Sequence, residues 1–171
     1  MVHKKLGLTA LVGFLLSLTV HIATVLGVDV SESVPYVWAL HIGMFLVWAP
    51  MVLAGINAKE LVRNLPTWAV VLYVAAFAYS FINFGLCVRF TQGGGGEMIN
   101  GQYFLTSHGH VLANLTEAQY HLQRAYEVRL FSGIWLLFYL MPALYFLGQA
   151  GDNIDQSWPF KQKPNGAESG H

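Results

Sequence analysis

The side chains best suited to chemistry in this sequence are histidines, and they fall into two groups. His21 and His41 lie inside long uncharged stretches, whereas His108, His110 and His121 lie in a polar segment between two such stretches. Counted from the outer end of its stretch, each of His21, His41 and Asn83 sits about seven residues in, or roughly 10 Å deep at 1.5 Å per residue. Trp135 falls at a comparable level. Polar groups at such depth are costly in a lipid environment and call for a partner. Three readings are open for this level. The imidazoles and the Asn83 amide can satisfy one another across helices as structural hydrogen bonds. His21 and His41 can serve as axial ligands of haem b, with Asn83 beside them, because bis-imidazole sites are built between facing helices. The same level can also line a pocket for a quinone, a lipid headgroup or a proton path.

For the second group, His108, His110 and His121 are a possible metal site, since three neutral imidazoles suit Zn²⁺ or copper. Glu117 and His121 stand four apart, the spacing of a pair on one helix face. Other catalytic sets are thin. No acidic pair lies in an uncharged stretch, so carboxylate acid–base chemistry lacks its parts. Ser80 and Ser132 have no Gly-x-Ser-x-Gly context. The run of glycines at 93–96 is not followed by Lys-Ser/Thr, so it is not a phosphate loop. Charge-free spans argue against a proton-coupled transporter or a cation channel. A net charge of zero gives no electrostatic basis for nucleic-acid binding.

The elements that must position these residues follow from composition. Of 171 residues, 55 % are apolar and only 11 % charged, against about 25 % charged in an average soluble domain. No charge occurs between Lys5 and Asp29, Glu32 and Lys59, Arg63 and Arg89, or Arg129 and Asp152. Each gap exceeds the roughly 20 residues that a helix needs to cross about 30 Å of hydrocarbon. The expectation is an all-α integral membrane protein whose four transmembrane helices, about 6–28, 34–55, 67–90 and 130–148, form a bundle. The first is read as an uncleaved span rather than a signal peptide, because its apolar run is too long and no clear cleavage site follows. Cys87, the single cysteine, lies within the third span and cannot form an internal disulfide.

Lys4, Lys5, Lys59, Arg63, Lys161 and Lys163 share one side if both termini are cytoplasmic, which basic flanks favour. The loop 91–129 is then extracytoplasmic, and the chain belongs in the cell membrane. Tyr36, Trp38, Trp48 and Trp68 stand near span ends, as in an interfacial belt. Pro50 and Pro142 each remove a backbone donor and kink a helix, which a bundle tolerates when a neighbour satisfies the freed carbonyl. Gly43, Gly55, Ala75, Ala76 and Ala78 are small enough for close helix contact.

Within the outer loop, Gln92 to Glu97 reads as a flexible connector and Asn100-Gly101 as a turn. Tyr103 to Thr106 and Val111 to Ala113 then read as a small β-hairpin bending at Gly109. Thr116 and Gln119 have the spacing of a capping box, with Leu115 and Tyr120 as its staple. They predict a helix from Glu117 to about Gly148, projecting from the bilayer by roughly 13 residues, or about 20 Å. The hairpin and this extension form a cap. The same box overlaps a glycosylation sequon at Asn114, which capping explains without it. Residues 149–171 are polar and read as a disordered cytoplasmic tail.

The function that fits best is a small non-catalytic membrane component: a subunit, assembly factor or scaffold contacting the bilayer and other membrane subunits or itself. The alternatives are a haem- or quinone-binding redox subunit at the His21/His41 level, or a metal-binding outer loop at His108, His110 and His121.

Overall fold

A computed structural model describes residues 2–156, apart from 54, 57, 58, 60–62 and 64, with side chains up to 148. The elements with described bounds are five helices and one sheet: α1 (Val2–Val25), α2 (Val30–Ser33), α3 (Ala39–Leu53), α4 (Thr67–Thr91), β1 (Gly95–Ile99), β2 (Gln102–Ser107), β3 (His110–Leu115) and α5 (Glu117–Gln156). Among the described residues, three helices are long and apolar enough to cross a membrane: α1 over His3–Val25, α4 over Thr67–Thr91 and α5 over Glu117–Gly148. The second predicted span is shorter, because α3 begins only at Ala39. The residues before it form tight turns, with Val37 N–H bonded to Val34 C=O and Ala39 N–H to Tyr36 C=O.

One helix organises the rest. Within their most apolar windows, α5 is 67 % buried inside the protein, whereas α1 is 28 % and α4 only 17 % buried. α5 therefore forms the centre, packed by α1, α3 and α4, while the outer faces of α1 and α4 present leucine, valine and phenylalanine outward. Tyr139 is the clearest contact in that core. Its ring lies where a side chain on Gly13 of α1 would be, and its hydroxyl where one on Gly43 of α3 would be. That hydroxyl donates to the Leu40 carbonyl at 2.8 Å. Gly43 thus serves close contact as expected, but Ala75 and Ala78 face outward.

Trp48 departs from its interfacial reading. Its ring packs on Phe138, and its indole N–H donates to the Phe138 carbonyl at 2.6 Å. This is the acceptor that Pro142, four residues on, leaves without a helical N–H. Trp38 likewise turns inward, edge-on to Trp135 and Phe131, while Tyr36 and Trp68 remain exposed.

The segment 91–116 is more ordered than its glycine content implies. β2 and β3 pair antiparallel with Ser107 opposite His110, and β1 adds a third strand on the other side of β2. Two-residue turns at Asn100-Gly101 and His108-Gly109 join them, each with both φ values positive, as tight hairpin turns require. The expected flexible connector is therefore part strand. Its glycines permit close approach: a Cβ on Gly94 would lie 2.6 Å from the Thr106 carbonyl, and one on Gly96 would lie 3.1 Å from Tyr120.

α5 begins at Glu117 through the expected capping box. Thr116 N–H donates to Gln119 Oε1 at 2.8 Å and Gln119 N–H to Thr116 Oγ1 at 3.3 Å. Gln123 Nε2 donates to the carbonyls of Thr91 and Gly94, so the end of α4 stands level with Gln123. Only residues 117–122, about 9 Å of helix, rise beyond it. At its other end α5 continues to Gln156, because no proline intervenes before Pro159. The remainder of the predicted tail, 157–171, and most of the loop before Pro66 lie outside the described residues.

Candidate functional site

The polar level foreseen at His21, His41 and Asn83 is built onto two turns of α5, from Arg129 to Trp135. Ser132 Oγ donates to the Arg129 carbonyl at 3.1 Å. Its single proton is thereby committed, so it accepts from His21 Nδ1 at 2.9 Å. His21 Nε2 is then the acceptor for the Tyr79 hydroxyl on α4. Both ring nitrogens of His21 are occupied. Next to it, Asn83 Nδ2 donates to the Arg129 carbonyl at 3.1 Å, and Asn83 Oδ1 accepts from Arg129 Nε at 3.0 Å. Ser80 Oγ reaches the Gly133 carbonyl at 3.0 Å. Gly133 stands between His21 and Asn83, and any side chain there would collide with the Asn83 amide.

His41 reaches the same level from α3 but belongs to a different cluster. Its Nδ1 accepts from Trp135 Nε1 at 3.2 Å, and its ring packs edge-on to Phe131. His21 and Asn83 are brought together through Arg129 and Gly133, whereas His41 shares no hydrogen bond with either. An axial haem ligand needs a free ring nitrogen aimed into a cavity, and His21 has neither to spare. Ser132 beside His21 has the atom spacing of a nucleophile and its base. It is fully buried, however, and its proton is spent on a carbonyl.

Sequence reading missed Tyr79, Ser132 and Arg129 as the partners. One signal was present. The buried residues Ser80, Asn83, Cys87 and Thr91 of α4 follow helical spacing, so the polar stripe of this helix faces inward.

The outer histidines also separate. His108 and His110 stand at the β2–β3 turn, at the end of the sheet away from Tyr103. His121 lies at the Tyr103 end, beneath the loop that follows α1. Its Nδ1 is 3.1 Å from Asp29 Oδ2 and 3.6 Å from Glu32 Oε2. These three donor atoms all lie within 4.8 Å of one another, and among the described residues His108 and His110 join no such group. Asp29 is held in place as the N-cap of α2, its Oδ1 accepting from Ser31 N–H at 3.1 Å and from Ser31 Oγ. Glu32 follows by three residues and so turns the same way.

A hollow of about 310 Å³ opens here, lined by Asp29, Glu32, Tyr103, Glu117, His121 and Arg124 among others. The Asp29 carboxylate, hydrogen-bonded to His121, holds the imidazole pKa above its ordinary 6.5, aided by the charges of Glu32 and Glu117. This turn precedes the stretch 130–148 that the sequence leads one to expect as the span, and the 32 residues from Glu117 to Gly148 extend about 48 Å, longer than a 30 Å hydrocarbon layer. A second cavity of about 350 Å³ lies at the opposite end, walled by apolar residues of α1, α4 and α5 such as Phe14, Trp68 and Leu144. Comparison with protein-family models, with curated proteins and with solved structures finds no match for this chain.

Proposed function

We propose that the chain is a four-span membrane protein with both termini in the cytoplasm, acting as a non-catalytic subunit, assembly factor or scaffold of a larger membrane complex. α3 with its preceding turns would be the second span. The sheet, α2 and the first turns of α5 would make an extracytoplasmic cap.

The observation carrying this reading is that the polar groups around His21, His41 and Asn83 are consumed by one another, whereas the buried Ser17 hydroxyl of α1 has no partner among the described residues. His21 is held by Ser132 and Tyr79, Asn83 by Arg129, His41 by Trp135, and the Ser80 hydroxyl lies between the carbonyls of Ala76 and Gly133. Groups spent in this way fix helix positions, each interhelical bond contributing about 0.6–2 kcal/mol, and leave little to bind or transform a substrate. The outward apolar faces of α1 and α4 suit lipid tails or the helices of another subunit.

Purification of the tagged chain from membranes in mild detergent tests the reading. The expected result is a colourless preparation carrying a reproducible membrane partner or a second copy. A Soret band lost in His21→Ala or His41→Ala would replace it with a haem-binding role. A chain that is monodisperse in buffer without detergent would remove the membrane reading altogether.

A further inference from the structure

We infer that Asp29, Glu32 and His121 form a binding site for one divalent transition-metal ion, with Zn²⁺ as the best-matched species, tying the loop after α1 to the start of α5. This site is independent of the scaffold reading and shares only His121 with the trio expected from sequence.

The donor geometry comes first. Tetrahedral Zn²⁺ sits about 2.0–2.1 Å from nitrogen and oxygen ligands, which places neighbouring donors about 3.3 Å apart. His121 Nδ1 lies 3.1 Å from Asp29 Oδ2 and 3.6 Å from Glu32 Oε2, on either side of that spacing. An ion can enter between them by small side-chain adjustments and loss of the imidazole proton, with no change of backbone. One imidazole and two carboxylates are a borderline donor set, preferred by Zn²⁺ over Mg²⁺ or Ca²⁺, which favour oxygen alone.

Support around the donors is the second argument. Asp29 is buried, and its other oxygen is engaged by the Ser31 backbone and hydroxyl. The carboxylate therefore cannot swing away, as outer partners of metal ligands ensure elsewhere. Glu32 is exposed and supplies the adaptable ligand.

The local charge gives a third argument, independent of distances. Asp29, Glu32 and Glu117 all face the hollow, and the nearby guanidinium of Arg124 is paired at 3.1 Å with Glu127, outside the hollow's lining. Arg124 also donates to Ser31 Oγ at 3.3 Å, which directs it to the rim of α2. Three carboxylates thus face one imidazole and the Arg124 guanidinium, so that with the imidazole neutral a net negative charge remains for a divalent cation to neutralise. The open hollow provides the entry path and room for water in the fourth position. Glu117, one turn before His121, lines the same hollow.

Equilibrium dialysis of the full-length chain in detergent against Zn²⁺, followed by elemental analysis, tests the site. One ion per chain is expected. Glu32→Gln, at an exposed position, should weaken binding about tenfold or more, and His121→Gln more severely. Asp29→Asn keeps an N-cap for α2 and so separates ligation from folding; it too should lose the ion. His108→Ala with His110→Ala should bind like the unmodified chain, and Mg²⁺ at equal concentration should not compete. Absence of stoichiometric Zn²⁺ in the unmodified chain overturns the site. So does full binding in Asp29→Asn and His121→Gln, or loss confined to the His108/His110 variant.

Discussion

The indole N–H of Trp48 is bonded to the carbonyl of Phe138, the one acceptor that Pro142 strips of its helical partner. A hydrogen bond missing from one helix is thereby supplied by a side chain from another, and the position of α3 against α5 becomes coupled to a proline. In hydrocarbon no water is at hand to take that carbonyl, so the substitute bond is worth more than its geometry alone suggests.

Trp48→Phe keeps an aromatic ring against Phe138 but deletes the donor. It should destabilise the fold by about 1–2 kcal/mol, read as the unfolding midpoint in mixed detergent–SDS micelles. Pro142→Ala restores an N–H at position 142, which can bond the Phe138 carbonyl within α5. In that background Trp48→Phe should cost less, by about 0.5–1 kcal/mol. Strict additivity of the two substitutions would show that the indole bond does not compensate the proline.

Gly133→Ala introduces a methyl group where the Asn83 amide already lies, between two helices with no free space. Overpacking of this kind costs about 1–3 kcal/mol. Gly148→Ala and Gly85→Ala, whose added methyl groups meet nothing within 4 Å, serve as helix-propensity controls and should be neutral or slightly stabilising. The informative variant is Gly133→Ala with Asn83→Ala, which relieves the clash but strands Arg129. If the double variant melts like Gly133→Ala alone, Asn83 is not what the glycine accommodates.

The contrast between these sites shows where sequence is legible. Long charge-free stretches, the Thr116/Gln119 box, the Asn100-Gly101 turn and the need to satisfy the carbonyl freed by Pro142 are local or near-local facts, and each is written in adjacent residues. Depth counting placed His21, His41 and Asn83 on one level, because rise per residue is fixed by helix geometry. It could not say which faces meet, since a one-residue rotation turns a side chain by about 100°. The pairing of His21 with Ser132 and Tyr79 depends on that rotation. The glycines at 93–96 read as part of a flexible connector. Gly96 instead lies in β1 and packs against Tyr120, on a helix more than twenty positions away. Asp29 and Glu32 were visible only as a short acidic loop, and their meeting with His121 depends on α1 ending level with the first turns of α5.

The Thr116/Gln119 box is solvent-exposed and independent of the bundle core, so its contribution can be isolated. Thr116→Ala removes the side-chain acceptor for Gln119 N–H and should cost about 1 kcal/mol. Thr116→Asp retains an acceptor and adds favourable charge at the helix N-terminus, so it should match or exceed the parent. Amide exchange at residues 117–120 is the sensitive readout. Protection unchanged in Thr116→Ala would mean that the sheet, not the cap, holds this turn.

The His121–Asp29 pair should give the metal-free protein a pH-dependent cap. The imidazole pKa is raised in the folded state, chiefly by the hydrogen bond to Asp29. The protonated form therefore binds the folded chain better than the unfolded one. That contribution is complete below about pH 6.5 and disappears as pH rises through the folded-state value. The cap, monitored by exchange of β1 and α5 amides with chelator present, should loosen as pH rises above about 6.5 and through the raised folded-state value. His121→Gln should abolish the dependence, leaving the cap as loose at pH 6 as the parent is at higher pH. A profile that is flat in the parent, or that persists in His121→Gln, would assign the pair no role in holding the loop after α1 to α5.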